Sequence, residues 1–393
     1  MNELLILGPH DRYNYGDLLF PYIIEYEIGN KFDSIIYLST TEADLSDVGG
    51  RKCLSIKYLE KLSVSKNYTL IVAGGESLFT GWHILSSYLS PNFRKVLRLF
   101  SYTTKIKNCE ILYHRIFNYI GRKYLNGKSY LPLSVALSEF KQIEKICYNS
   151  LGGSAMDSKL YHALKFNKIF NDISYLSVRD YKTFALLQDD NIKATLIPDS
   201  AILMSKYFSC DFLETKISND VKYFAKENKY IFFQVSKHLG LLHLDVIVQQ
   251  IESLFYDKGM MVCLCPAGLA LGHEDQVALS KISSKLKVPH IFFEKVTIWD
   301  IMFLIAKSNV YVGTSLHGAI TAMSFVVPYV GLHIEKMGCY LQTWAVKGLD
   351  KKVDFENMNS AIDFALNCDV SELNKNLACQ FALVEESFKR MLG

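Results

Sequence analysis

No stretch of this chain is apolar for long enough to span a bilayer. The opening residues, MNELLILGPHDR, have no basic leader, carry an acid at Glu3 and offer only a very short apolar core. They do not read as a secretory signal, and a cytoplasmic protein is expected. Nine cysteines, at 53, 109, 147, 210, 263, 265, 339, 368 and 379, are odd in number and form no spacing framework. Cys263 and Cys265 share one face of an apolar strand, but no second pair stands at ligand spacing, so neither a zinc site nor a disulfide scaffold is expected. Reduced, mostly buried thiols are the expectation. The net charge of +3 is too small to indicate a nucleic-acid protein. There is no repeat at solenoid periods and no low-complexity tract.

The chain has 393 residues, half of them hydrophobic and about a fifth charged, which predicts a globular protein with more than one core. Charge density rises and strand signals fade between Met204 and Lys226. A first domain over 1–204, a second over 205–350 and closing helices over 351–393 that pack back across both are therefore expected.

The most informative stretch is Ser308–Leu332, SNVYVGTSLHGAITAMSFVVPYVGL. Val310-Tyr311-Val312 reads as a buried strand, Gly313–Gly318 as a turn holding Ser315 and His317, and Ala319–Phe325 as a helix stopped before Pro328. This is half of a doubly wound α/β unit, with its turn at the strand's carboxyl end, where such sheets bind ligands. Free N–H groups at the helix start attract an anion, and His317 can add a donor; a purely structural turn fits the same residues.

Strands are also expected at Leu4–Leu7, Ile35–Leu38, Leu70–Ala73, Leu131–Val135, Ile173–Val178, Ala194–Ile197, Tyr230–Val235, Met260–Cys265 and Ile291–Phe293. Helices are expected over 18–28, with Asp17 as its cap, and over 54–62, 138–148, 157–170, 181–187, 244–258, 275–286, 298–307, 357–367 and 371–391. Gly74-Gly75-Glu76-Ser77 follows a strand and permits a sharp turn or a close ligand approach. It lacks the third glycine and the distant acid of a dinucleotide fingerprint. Arg179, delivered at a strand end, suits a carboxylate or phosphate; an ion pair with Asp180 or Asp199 is the structural alternative.

A mostly helical insertion is expected over 81–128. From Arg94 to Lys128 it holds nine basic residues, Lys105 and Lys107 among them, against one acid, Glu110, interleaved with large apolar residues such as Leu99, Ile106, Leu112 and Ile116. That pattern makes either an interfacial membrane surface or solvated helices with one face on the core.

Taken in order, Asn14-Tyr15-Gly16-Asp17, Gly74-Gly75-Glu76-Ser77, Ser177-Val178-Arg179-Asp180, Ile197-Pro198-Asp199-Ser200-Ala201 and Leu316-His317-Gly318 before Pro328 resemble the polysaccharide pyruvyl transferase family. Two positions depart from its pattern: Ser315 stands where an arginine is usual, and Glu76 where a third glycine is frequent.

The resemblance implies an α/β fold of two Rossmann-like domains facing a cleft, similar to B-type glycosyltransferases. It implies phosphoenolpyruvate as donor substrate, no cofactor and no metal. It also implies a lipid-linked sugar of a cell-surface glycan precursor as acceptor, at the inner membrane face, and a pyruvate ketal as product. The donor's phosphate and carboxylate require cationic or N–H groups, its methylene carbon an acid, and the sugar hydroxyl a base. His317 and Arg179 are the expected anion-holding and acid groups. Asp17, Glu76 and Glu274 are the base candidates, and Asn14 and Asp17 can instead hold acceptor hydroxyls. Gly16, Gly74, Gly75, Ser77, Ser236, Ser315 and Gly318 shape the turns, and Lys237 and His238 are placed to supply the charge missing at Ser315. A nucleotide-sugar glycosyltransferase of the same shape, or an inactive scaffold in a glycan-assembly complex, are the alternatives. The oligomeric state is not legible.

Overall fold

In a computed structural model, which describes residues 2–105, 109–170 and 172–393, the chain forms two sheets connected by helices. The first sheet holds β1 (Asn2–Leu7), β2 (Ser34–Ser39), β3 (Ala43–Asp44), β4 (Lys52–Ser55), β5 (Asn67–Ala73), β6 (Ile143–Leu151), β7 (Tyr175–Val178) and β8 (Thr195–Leu196). Its order is β3-β4-β2-β1-β5-β6-β7-β8, parallel except where β3 meets β4. The second holds β9 (Tyr230–Gln234), β10 (Met261–Leu264), β11 (His290–Phe292), β12 (Val310–Gly313) and β13 (Tyr329–Gly331), in the all-parallel order β11-β10-β9-β12-β13.

The strands are near-continuous apolar runs because both faces of a parallel sheet are covered. Alternation along each strand sends Leu4, Ile6, Ile71 and Ala73 into one core and Leu5, Leu7, Leu70 and Val72 into another. The first of these cores is continuous with that of the second sheet. The turn after β1 makes the join by main-chain bonds: Tyr15 N donates to Ala267 O at 2.9 Å, and Leu269 N and Ala270 N donate to Tyr13 O at 3.2 and 3.1 Å. Tyr15 Oη also meets Thr321 Oγ1 at 2.8 Å.

Several local expectations are corrected. Residues 138–148 are not helical; β6 runs from Ile143 to Leu151 through the middle of the first sheet. Ile143, Ile146 and Cys147 have helical spacing, but pairing with β5 and β7 on both sides overrides it. Residues 131–135 form no strand, only a bridge between Leu131 and Ser134. Over 54–62 the chain finishes β4 and then makes a 3-10 turn, Ile56–Lys61. Asp17 is not a helix cap. The helix α1 (Phe20–Ile28) starts after Leu19, with Pro21 in its first turn, while the Asp17 carboxylate accepts from Asn14 Nδ2 at 2.9 Å.

Between β5 and β6 the chain inserts α2 (Trp82–Leu89), α3 (Pro91–Ser101) and α4 (Cys109–Tyr124). Ile106 and Lys107 of the basic stretch lie outside the described residues. Among the described residues no helix is long and apolar enough to cross a membrane.

The last helix, Val370–Leu392, returns to the first sheet, where Lys145 Nζ donates to Leu392 O at 3.1 Å and Tyr175 Oη meets Ser387 Oγ at 2.9 Å. Its buried side chains include Val384, Phe388 and Met391. Phe388→Ala is expected to lower the unfolding free energy by about 3–5 kcal/mol. Urea unfolding measures it, and a loss below about 1 kcal/mol would mean that this helix contributes little to the core.

Candidate functional site

The carboxyl ends of β1, β5, β7, β9, β10 and β12 converge on one cavity of about 730 Å³. Its wall takes Asn14 and Asp17 from the turn after β1, Glu76 and Ser77 from the turn after β5, and Arg179 from the end of β7. The other half contributes Gln234, Ser236, Asp275, Thr314, Ser315, His317 and Lys336. Parallel strands of two sheets pointing their ends at a common crevice is the arrangement in which doubly wound folds bind ligands.

At the centre lies a chain of charges. Arg179, 2% exposed, donates from Nη1 to Asp199 Oδ2 at 2.8 Å and from Nη2 to Glu76 Oε2 at 2.7 Å. Its partners are thus Asp199 and Glu76 and not Asp180, whose carboxylate instead caps the helix Tyr181–Asp189 through Thr183. His317 Nε2 approaches the same Asp199 oxygen at 3.4 Å from the other half of the molecule. Burial pushes the Glu76 and Asp199 carboxyls up. For Glu76 this is more than offset by the Arg179 and Lys336 charges, and for Asp199 by His317 and Arg179, so both sit below the ordinary carboxylate range. Glu76 also accepts from Ser154 Oγ and Ala155 N, both at 3.0 Å. A carboxylate so fully engaged is a structural partner and a poor proton acceptor.

Burial raises Asp17, with His317, Arg12, Lys336 and Arg179 opposing. Its main-chain carbonyl accepts from Nδ1 of His10, a fully buried imidazole that burial lowers to about 4. Gly16 brings the Asp17 turn against the His317 ring: a Cβ at position 16 would lie 1.7 Å from His317 Nδ1. Gly75 has φ +78°, open to glycine at little cost, and turns the chain so that Glu76 points to Arg179. Gly74 sits under the Phe20 ring, and Ser77 Oγ closes the turn on Gly74 O at 2.8 Å.

In the second half one hydrogen-bonded network fixes the His317 turn. Asp275 accepts from Gln234 Nε2 at 2.7 Å and from the amides of Ala267 and Gly268; Gln234 Oε1 in turn accepts from Thr314 N and Ser315 N. Ser315 caps the helix Leu316–Ser324 by accepting from Gly318 N at 3.3 Å. Thus Ser315 holds a helix start where a longer basic side chain was the family expectation. Ser236 lines the cavity, and its amide donates to Thr314 Oγ1.

Lys237, His238 and Glu274 are corrections, because none of them lies in the cavity wall. Lys237 Nζ pairs with Glu274 Oε2 at 3.1 Å on a partly exposed surface, and the adjacent His238, in the same first turn of the helix Lys237–Leu242, is exposed. The cation nearest in role is Lys336, which had no motif around it. It is half-buried in the wall and, among the described residues, has no salt-bridge partner. Burial lowers it from the ordinary lysine value, with Glu76, Asp17 and Asp275 opposing and the Arg179 charge adding to the fall. Its place in the first turn of the helix Glu335–Trp344, which starts a few residues past the end of β13, was the available signal. The insertion completes the wall: Tyr88 of α2 stacks on His273 with centroids 5.5 Å apart, and His83, His114, Asn118 and Arg122 also line it.

A family model described as polysaccharide pyruvyl transferase matches residues 14–333 of the chain. No curated protein matches it. Among solved structures it is similar to the UDP-GlcNAc 2-epimerase of Neisseria meningitidis bound to UDP-GlcNAc, at 10% identity, TM-score 0.57, and coverage of 100% of this chain and 98% of that one. The UDP-GlcNAc 2-epimerase of Methanocaldococcus jannaschii gives 12% identity, TM-score 0.54 and 94% coverage of each chain. A trehalose-6-phosphate synthase gives 10%, 0.53, and 99% and 97%. At such identities the likeness concerns the fold: two Rossmann-like halves facing a cleft, as in B-type glycosyltransferases.

Burial pushes Asp275 up to about 6, above the ~3.9 of an exposed aspartate. The folded chain therefore binds this proton more tightly than the unfolded one, and the contribution of Asp275 to stability falls as pH rises from about 4 through about 6. Relative to Asp275→Asn, the wild type is expected to gain unfolding free energy as pH is lowered from about 7 to about 4.5. Parallel denaturation curves for the two proteins across that range would refute this assignment.

Proposed function

Because the chain belongs to the polysaccharide pyruvyl transferase family, we propose that it transfers the enolpyruvyl group of phosphoenolpyruvate to a sugar of a cell-surface polysaccharide precursor. The acceptor in this reading is lipid-linked, and the reaction runs in the cytoplasm at the inner membrane face. The observation that carries the proposal is that His317 and Arg179, from opposite halves, line one cavity and meet on one oxygen of Asp199, at 3.4 and 2.8 Å.

In this reading the donor's methylene carbon takes a proton and the central carbon becomes cation-like. One sugar hydroxyl attacks that carbon, phosphate leaves with its bridging oxygen, and a second hydroxyl closes the ketal. One hydroxyl proton balances the new methyl group and the other leaves with phosphate. The free amides at the start of the helix Leu316–Ser324 bind phosphate, and His317 donates to its leaving oxygen. Asp199 orients that imidazole, and Arg179 holds Asp199, so the guanidinium acts on the donor through its neighbours more than by direct contact. Lys336, free of carboxylate partners among the described residues, binds the donor carboxylate and supplies the charge absent at Ser315. Asp17, raised by burial, assists the attacking hydroxyl, and Asn14 holds it in place.

With phosphoenolpyruvate and a panel of lipid-linked saccharides, the protein is expected to release phosphate and form a ketal. Turnover of a nucleotide sugar without phosphate release from phosphoenolpyruvate would favour the glycosyltransferase alternative instead. His317→Ala is expected to lower kcat by at least about 100-fold. Lys336→Met is expected to weaken phosphoenolpyruvate binding by about 10–100-fold in calorimetric titration. Unchanged donor affinity in that variant would remove Lys336 from the site.

A further inference from the structure

Helices α3 and α4 each carry two apolar stripes. One faces the molecule, with Leu97, Phe117 and Gly121 buried. The other faces solvent. On α3 it consists of Val96, Leu99 and Phe100, at i, i+3 and i+4; on α4 it consists of Leu112, Ile116 and Ile120, at i, i+4 and i+8. Leu99 is 72% exposed and Leu112 57%, so more than half of each residue's surface is open to solvent. A surface helix of a globular protein normally keeps that face polar. Here its polar members are Lys95, Arg98 and Lys123, all exposed and, among the described residues, without a salt-bridge partner. From Arg94 to Lys128 the sequence holds nine basic residues and one acid.

We propose that this outer face of α3 and α4 is a docking surface for an anionic phospholipid bilayer. Exposed aliphatic and aromatic side chains enter the headgroup boundary, and the lysines and arginines between them meet the lipid phosphates. The combination selects this occupant. A protein partner of ordinary interface composition would not need so one-sided a charge, and a nucleic acid would not need the aliphatic stripe. A second copy of this chain would bring the same positive charge to the contact. The surface is continuous with the site, since α4 lines the cavity with His114, Arg115, Asn118, Tyr119 and Arg122. A bilayer on this face therefore lies against the helix that forms one cavity wall.

The test is flotation of the full-length protein on phosphatidylcholine vesicles, with and without about one third phosphatidylglycerol. The wild type is expected to float with the anionic vesicles only, and less so at high salt. Combining Leu99→Asn, Leu112→Asn and Ile116→Asn is expected to cut the bound fraction at least tenfold without changing Tm or phosphoenolpyruvate binding. Lys95→Gln with Arg98→Gln and Lys123→Gln should abolish the preference for anionic lipid. Equal flotation of the wild type and the apolar triple variant overturns the proposal. So does a wild-type dimer in sedimentation that the triple variant converts to monomer with no vesicle binding by either protein. Donor binding is read on the same preparations, so failure of the docking surface is distinguishable from failure of the proposed reaction.

Discussion

A guanidinium held out of water between two carboxylates is the constraint around which this molecule is arranged. Removing Arg179 from solvent costs several kcal/mol unless its charge is met by well-placed partners. Glu76, at the end of β5, and Asp199, after β8, meet it from two directions. Together the three groups carry one excess negative charge, which the His317 imidazole approaches from the second half. The cluster is therefore completed only when both halves are assembled. Breaking it by removing the arginine alone would leave two buried carboxylates uncompensated, the costly way to disrupt a buried pair.

The same logic explains how two sheets built from unrelated stretches deliver their groups to one place. In each half the parallel strands end at the cavity, so residues far apart in sequence arrive together by topology alone. Support lies one layer further out. The Asp275–Gln234 network fixes the Thr314-Ser315 turn, and Gly16 allows the first turn to press on the His317 ring. None of these groups needs to touch a ligand to matter, because they decide where His317 sits.

How much of this was legible in the sequence depended on whether a signal was local. The strand-turn-helix around His317 announced itself through an apolar run, glycine bounds and Pro328, and it folds as read. The strand at Ile143–Leu151 did not, because Ile143, Ile146 and Cys147 have helical spacing and only its two flanking strands impose the extended form. Lys237 and Glu274 looked like site residues by standing next to strand ends, yet their side chains pair with each other away from the cavity. Lys336 showed no motif, and its relevance follows from a helix start whose position relative to Asp17 and Glu76 only the assembled fold fixes. Residue types and strand ends were readable; which way a side chain leaves its strand end was not.

The main-chain bonds from Tyr13 and Tyr15 to residues 267–270 carry a mechanical implication. Swinging the halves apart like a book would break three amide–carbonyl bonds and the Tyr15–Thr321 contact at the spine, together about 4 kcal/mol at the usual net value of roughly 1 kcal/mol each. Beside that spine, His273 follows Ala270 and stacks on Tyr88 of α2, whose ring also carries the Arg12 guanidinium at 5.6 Å; an aromatic contact of this kind ordinarily adds about 0.5–1.5 kcal/mol beyond its buried area. An opening motion of the halves is therefore resisted at one seam, where the first turn, the insertion and residues 267–273 meet.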